Sequence, residues 1–140
     1  MTMFASSAVS AGLLGQARRV LAEAREALDV GERFRLAHLA ALRVGAAVLA
    51  ERGRPASARR RLVSVWVLLE KVAPEYADWA RYFAAGAPAR AAVEAGALHA
   101  VSAREADDQL RAAGEFLRLV EASPAMWAAP PGTLAPPLAS

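Results

Sequence analysis

Between Asp29 and Gly53 runs a helix-length segment that is apolar on two sides, and it limits what the rest of the chain can do. Phe34, Ala37, Ala41, Val44 and Val48 share one side of a helix, while Leu36, Leu39 and Ala46 lie nearly opposite. Such a helix cannot rest on a surface with one face in water. It belongs at the centre of a bundle or in an interface between two chains. Ala37, Ala41 and Gly45 recur every four residues, which lets a neighbouring backbone come close. Both ends are punctuated: Asp29 followed by Glu32 has the form of a capping box, and Arg52-Gly53 with Pro55 just beyond is a stop.

The flanking segments read as helices as well. Leu13, Ala17, Val20, Ala24 and Leu28 predict a first helix over about residues 10–28. Ser57 can cap a third helix through Val72; the run Leu62 to Leu69 would pass for a buried strand, but a lone strand leaves its ladder hydrogen bonds unmade. Pro74 opens a fourth helix with Tyr76, Trp79 and Phe83 on one face, where they suit a core. Gly86-Ala87-Pro88 predicts an interruption there, with residues 89–96 as a short separate piece. Ser102 and Glu105 form a capping box ahead of a stripe of Ala106, Leu110, Ala113, Leu117 and Val120. The expected architecture is all-α: an antiparallel four- to five-helix bundle over residues 10–123, between a flexible N-terminus (1–9) and a Pro-rich mobile tail (124–140) that Met126 and Trp127 can dock. One domain fits a chain of 140 residues.

Composition removes several classes of function. Hydrophobic residues make up 56% and charged residues 22%, so the chain has enough apolar side chains to fold. No cysteine is present, which excludes disulfides and thiolate metal sites and points to a reducing, cytoplasmic setting. No apolar run reaches the roughly 20 residues that a bilayer requires, so no membrane association is expected. There is no phosphate loop, no G-x-G-x-x-G and no G-x-S-x-G, and the two histidines, His38 and His99, are not at helical spacing. Neither a metal nor a cofactor is expected. Glu105, Asp107 and Asp108 sit in the first turn of the last helix, where negative charge offsets the macrodipole.

Two groups of residues carry possible chemistry. Arg52, Arg54, Arg59, Arg60 and Arg61 place five guanidiniums within ten residues of a chain whose net charge is only +3. Three of them fall in a predicted first helical turn, where positive charge is disfavoured by about 0.3–1 kcal/mol each. A helix start with added arginines suits the phosphates of a nucleotide or RNA backbone; a solvated arginine-rich surface paired with acids such as Glu51 is the plainer reading. The second group is Arg33 and His38, an R-x4-H string. Imidazole can move a proton and guanidinium can stabilise a charged phosphorane, the parts of a metal-independent RNA endonuclease. Positions five apart on a helix point about 140° from each other, so this pair converges only across a dimer or at a frayed end. Arg35 and His38 are nearer neighbours, and a hydrogen-bonded interface histidine is the alternative.

The stretch Arg33-Phe34-Arg35-Leu36-Ala37-His38-Leu39-Ala40-Ala41-Leu42-Arg43, continuing as Leu49 to Pro55, resembles the second helix of HEPN domains. Val72 to Trp79 and Val101 to Asp108 look like a stand-alone actinobacterial branch of that superfamily, and the resemblance covers roughly residues 10–122. It implies an antiparallel α-bundle, often dimeric, that in various branches cuts RNA, binds nucleotides or RNA without cutting, or partners a nucleotidyltransferase. In the ribonuclease branches an R-x4-to-6-H motif lies in a later helix. Here the only R-x4-H string is in the second helix, and the arginine nearest before His99 is Arg90, nine positions away. The expected function is therefore a HEPN-like module that holds nucleotide or RNA phosphate through the arginine cluster, as a homodimer. An endonuclease using Arg33 and His38, or a helical adaptor for a protein partner, are the alternatives.

Overall fold

A computed structural model describes residues 2–53 and 64–127. Within them the order is α1 (Thr2–Glu26), α2 (Val30–Arg52), α3 (Val65–Val72), a 3-10 turn (Pro74–Tyr76), α4 (Ala77–Glu94), α5 (Ala103–Ala122) and a single turn, α6 (Pro124–Trp127). The described residues contain no strand, and the fold is an all-α antiparallel bundle. The apolar run from Val65 to Leu69 is helical, capped by the Ser64 hydroxyl, which accepts from the Trp66 amide. Ser57, Leu62 and Val63 lie outside the described residues.

α2 is the axis of the molecule. It packs against α1, α3, α4 and α5; Ala37, Ala41, Val44 and Val48 are fully buried and Leu36 is nearly so, while Leu39 and Ala46 on the opposite side are only partly buried. Centrality thus accounts for the first apolar side and for Leu36. Its N-cap is the predicted one, with the Asp29 carboxylate accepting from the Glu32 amide at 2.8 Å. The close approach expected at Gly45 is made by α3, since a Cβ there would stand 3.1 Å from Val65 and 3.2 Å from Trp66. The aromatic core fills the far side: Phe83 and Phe116 are fully buried, 5.6 Å apart, and Trp79 stacks on Phe116 at 5.5 Å.

Three elements depart from the periodicity. α1 begins at Thr2 and ends at Glu26, and its buried stripe is Leu14, Ala17, Leu21 and Ala24, leaving Leu28 in solvent. α4 runs unbroken from Ala77 to Glu94 through Gly86 and Pro88. Pro88 has no N–H to return to the Ala84 carbonyl, and glycine is a poor helix former, so local preference favours a break. Packing of α4 on α2 and α3 outweighs it, with Gly86 in contact range of Phe34 and His38. The third is the chain after Ser123, which turns back helically and buries Met126 in the core. No described helix is long and apolar enough to cross a membrane.

Candidate functional site

Arg33 and His38 are not brought together within the chain. The Arg33 guanidinium donates through Nε and Nη2 to the Ala27 carbonyl, at 3.2 Å each, and its Nη1 pairs with Asp107 at 2.7 Å. It therefore closes the C-terminal end of α1, where carbonyls lack helical partners, and ties that end to the start of α5. Arg35 is held by Glu32 on its own helix.

His38 is only 1% exposed, boxed by Phe34, Trp66 and Phe83 at ring distances of 5.9–6.4 Å. Both of its nitrogens are engaged: Nε2 lies 2.8 Å from the Phe83 carbonyl and Nδ1 lies 3.2 Å from Arg90 Nη1. A carbonyl only accepts and a guanidinium only donates, so Nε2 carries the proton and Nδ1 its lone pair. Burial lowers the imidazole's pKa from its ordinary value; the Phe83 carbonyl opposes that, and the Arg90 charge adds to it. The ring is thus a neutral cross-brace between α2 and α4. Arg90 in turn lies 3.5 Å from Glu94, so the arginine that meets His38 comes from α4 and not from its own helix.

Of the arginine cluster, Arg52 is described. It pairs with Glu75 and sits 5.9 Å from the centre of the Tyr76 ring, and its hydrogen bond holds the Glu75 carboxyl below its ordinary pKa. Arg54, Arg59, Arg60 and Arg61 lie outside the described residues. The acids at the start of α5 are individually engaged: Glu105 closes the capping box with Ser102, Asp107 takes Arg33 and Asp108 takes Arg111. Among the described residues no group of three His, Asp or Glu side chains is placed to hold a metal ion.

A pair of guanidiniums that local patterning missed lies along the seam of α1 and α5. Arg118 Nη1 and Arg25 Nη2 stand 3.6 and 3.7 Å from the point that a Cβ on Gly114 would occupy. That places the two nitrogens within about 7 Å of each other. Both side chains are exposed, and neither has a carboxylate partner among the described residues. One turn pair earlier on the same face of α1, Arg18 pairs with Glu121 of α5. Two like charges at this separation in water repel by roughly 0.6 kcal/mol, which a shared anion removes.

A HEPN family model, described as SAV_6107-like HEPN, matches residues 24–121. The chain belongs to this family. No curated protein and no solved structure matches it. The HEPN match spans the region from the end of α1 to the end of α5, and so takes in Arg25, His38, Gly114 and Arg118.

Proposed function

We propose that this HEPN domain binds the phosphates of a nucleotide or RNA and does not cut them. The observation that carries the reading is the convergence of Arg25 and Arg118 over Gly114. Two guanidiniums without a carboxylate partner among the described residues share a recess that the missing Cβ leaves open, between two helices that the core holds in place. Planar guanidiniums with several fixed donors suit phosphate oxygens. Arg52, Arg54, Arg59, Arg60 and Arg61 are a second candidate seat for phosphate, tested separately below. The endonuclease alternative draws no support from His38, whose ring is buried, neutral and bonded at both nitrogens, or from Arg33, whose donors are spent on Ala27 and Asp107.

The test is binding of a labelled ten-nucleotide oligouridylate to the full chain over a series of salt concentrations. Changing Arg25 and Arg118 together to Ala should weaken binding about tenfold at low salt. It should also flatten the dependence of log K on log salt by about 1.4, at roughly 0.7 per single-strand phosphate contact. A separate Arg54, Arg59, Arg60 and Arg61→Ala variant measures the contribution of the cluster. Loss confined to that variant would move the seat away from Gly114; no salt-sensitive binding at all would end the phosphate reading. The oligonucleotide is expected to remain intact, and cleavage that disappears in His38→Ala would reinstate the endonuclease.

A further inference from the structure

α4 and α5 both rest on α2 and meet through Trp79, Phe83 and Phe116, and a groove opens between them beside these rings. It contains two cavities, of about 460 and 240 Å³, joined by Tyr82 and Asp108, which line both. Four carboxylates line it, from Asp78, Glu105, Asp108 and Glu115; Arg81 pairs with Asp78 and Arg111 with Asp108, which leaves the groove acidic on balance. Glu115 has no ion-pair partner among the described residues. In a chain of net charge +3 this concentration of acid stands apart.

A second, independent observation lies in the smaller cavity. Gln109, on its wall, is 3% exposed, and its Nε2 has no hydrogen-bond acceptor among the described residues. The nitrogen faces Gly86 on the opposite wall, 3.6 Å from where a Cβ would stand. Buried N–H groups without an acceptor are uncommon in native folds, and one on a cavity wall marks a place for a ligand's acceptor.

We propose that this groove is a docking site for a short arginine-bearing segment of a partner protein. One guanidinium of the segment pairs with Glu115 and another shares Asp108 with Arg111, both lying against Tyr82 and Trp79, while a main-chain carbonyl accepts from Gln109 Nε2. The α4 wall from Asp78 to Ala89 is about 17 Å long at 1.5 Å per residue, which an extended segment spans with about five residues. Nucleic acid is repelled by the same carboxylates, so this site is distinct from the Arg25–Arg118 seam and does not depend on the phosphate reading.

The experiment is titration of the full chain with a fluorescein-labelled pentapeptide of alternating arginine and alanine. Asp108→Asn with Glu115→Gln should weaken binding by about tenfold or more, and Gln109→Leu by about fivefold. A pentapeptide with lysine for arginine should bind about fivefold more weakly, because an ammonium lacks the planar fork that pairs and stacks. If Gln109→Leu fails to fold, Gly86→Ala serves instead: its methyl meets its neighbours at 3.4–3.6 Å and narrows the floor of the groove. Equal binding of the two peptides, no effect of any groove variant, or equal loss on neutralising Glu23 and Glu26 of α1 would each overturn the proposal. So would gel-filtration evidence that the groove variants disrupt a homodimer, since the occupant would then be a second copy.

Discussion

The Gly114 seam and the Gly86 groove lie on either flank of α5, and each opens where a glycine, Gly114 of α5 or Gly86 of α4, withholds a side chain. Their charges are opposite. On α5, Gly114 and the groove residue Ala112 are about 160° apart at 100° per residue, so one helix presents a basic flank and an acidic flank on either side of its buried stripe. At the seam, Arg25 and Arg118 converge with no carboxylate partner of their own among the described residues, and the acid there, Glu121, takes Arg18. In the groove, acids gather around a buried amide whose N–H has no acceptor among the described residues. Net charge averages over both and reports neither. A chain of net charge +3 thus carries two surfaces of contrary sign on opposite flanks of one helix.

The comparison breaks most completely where the two surfaces share a foundation. Phe116 is fully buried beneath α5 and packs on Tyr76, Trp79 and Phe83. Phe116→Ala should cost about 3–5 kcal/mol in urea unfolding and weaken RNA and peptide binding together. Loss of only one ligand would show that the two flanks do not depend on a common core.

Acid tests the groove side alone. His38 braces α2 to α4 beneath Gly86, and its pKa is lowered in the fold by burial and by Arg90, with Glu94 acting in the opposite sense. A buried neutral histidine favours the folded chain fully above its unfolded pKa of 6.5, and that contribution is lost as pH falls below it. Stability should therefore drop between pH 7 and 5, by at most about 1.4 kcal/mol per pH unit for one proton. His38→Gln should flatten the drop; equal slopes in the two proteins would remove His38 as its source.

The smallest expected effects separate the two glycines. Gly114→Ala meets only the ends of flexible side chains at 3.6–3.7 Å, so it should gain up to about 1 kcal/mol of helix propensity while reducing RNA affinity. Gly86→Ala meets the rings of Phe34 and His38 at 3.4 Å, and its gain should be smaller. Thermal unfolding of the two variants side by side measures the difference; equal gains would mean that the ring contacts at Gly86 impose nothing.

Much of the fold was legible because its signals are local. The Asp29 cap, the stop at Gly53, the Ser102–Glu105 capping box and the stripe of α5 lie at fixed offsets along the chain, and each is present in the structure. What was not legible depended on contacts across the bundle. Gly86 and Pro88 read as a break, and only the packing of α4 on α2 keeps them helical. Leu28 matched the stripe of α1 by spacing, but the helix ends two residues earlier. The sites show the same limit. Arg25 and Arg118 are 93 positions apart, so no motif could pair them, whereas Arg33 and His38 were conspicuous through proximity alone and turn to different partners.

The buried imidazole also gives the molecule an internal clock. The Nε2 proton of His38 is enclosed by aromatic rings and held on the Phe83 carbonyl, so it can exchange with water only when α4 lifts away from α2. Its nuclear resonance lifetime then measures how often that helix opens. A ligand lodged between α4 and α5 would lengthen that lifetime, whereas an anion held between α1 and α5 would leave it unchanged.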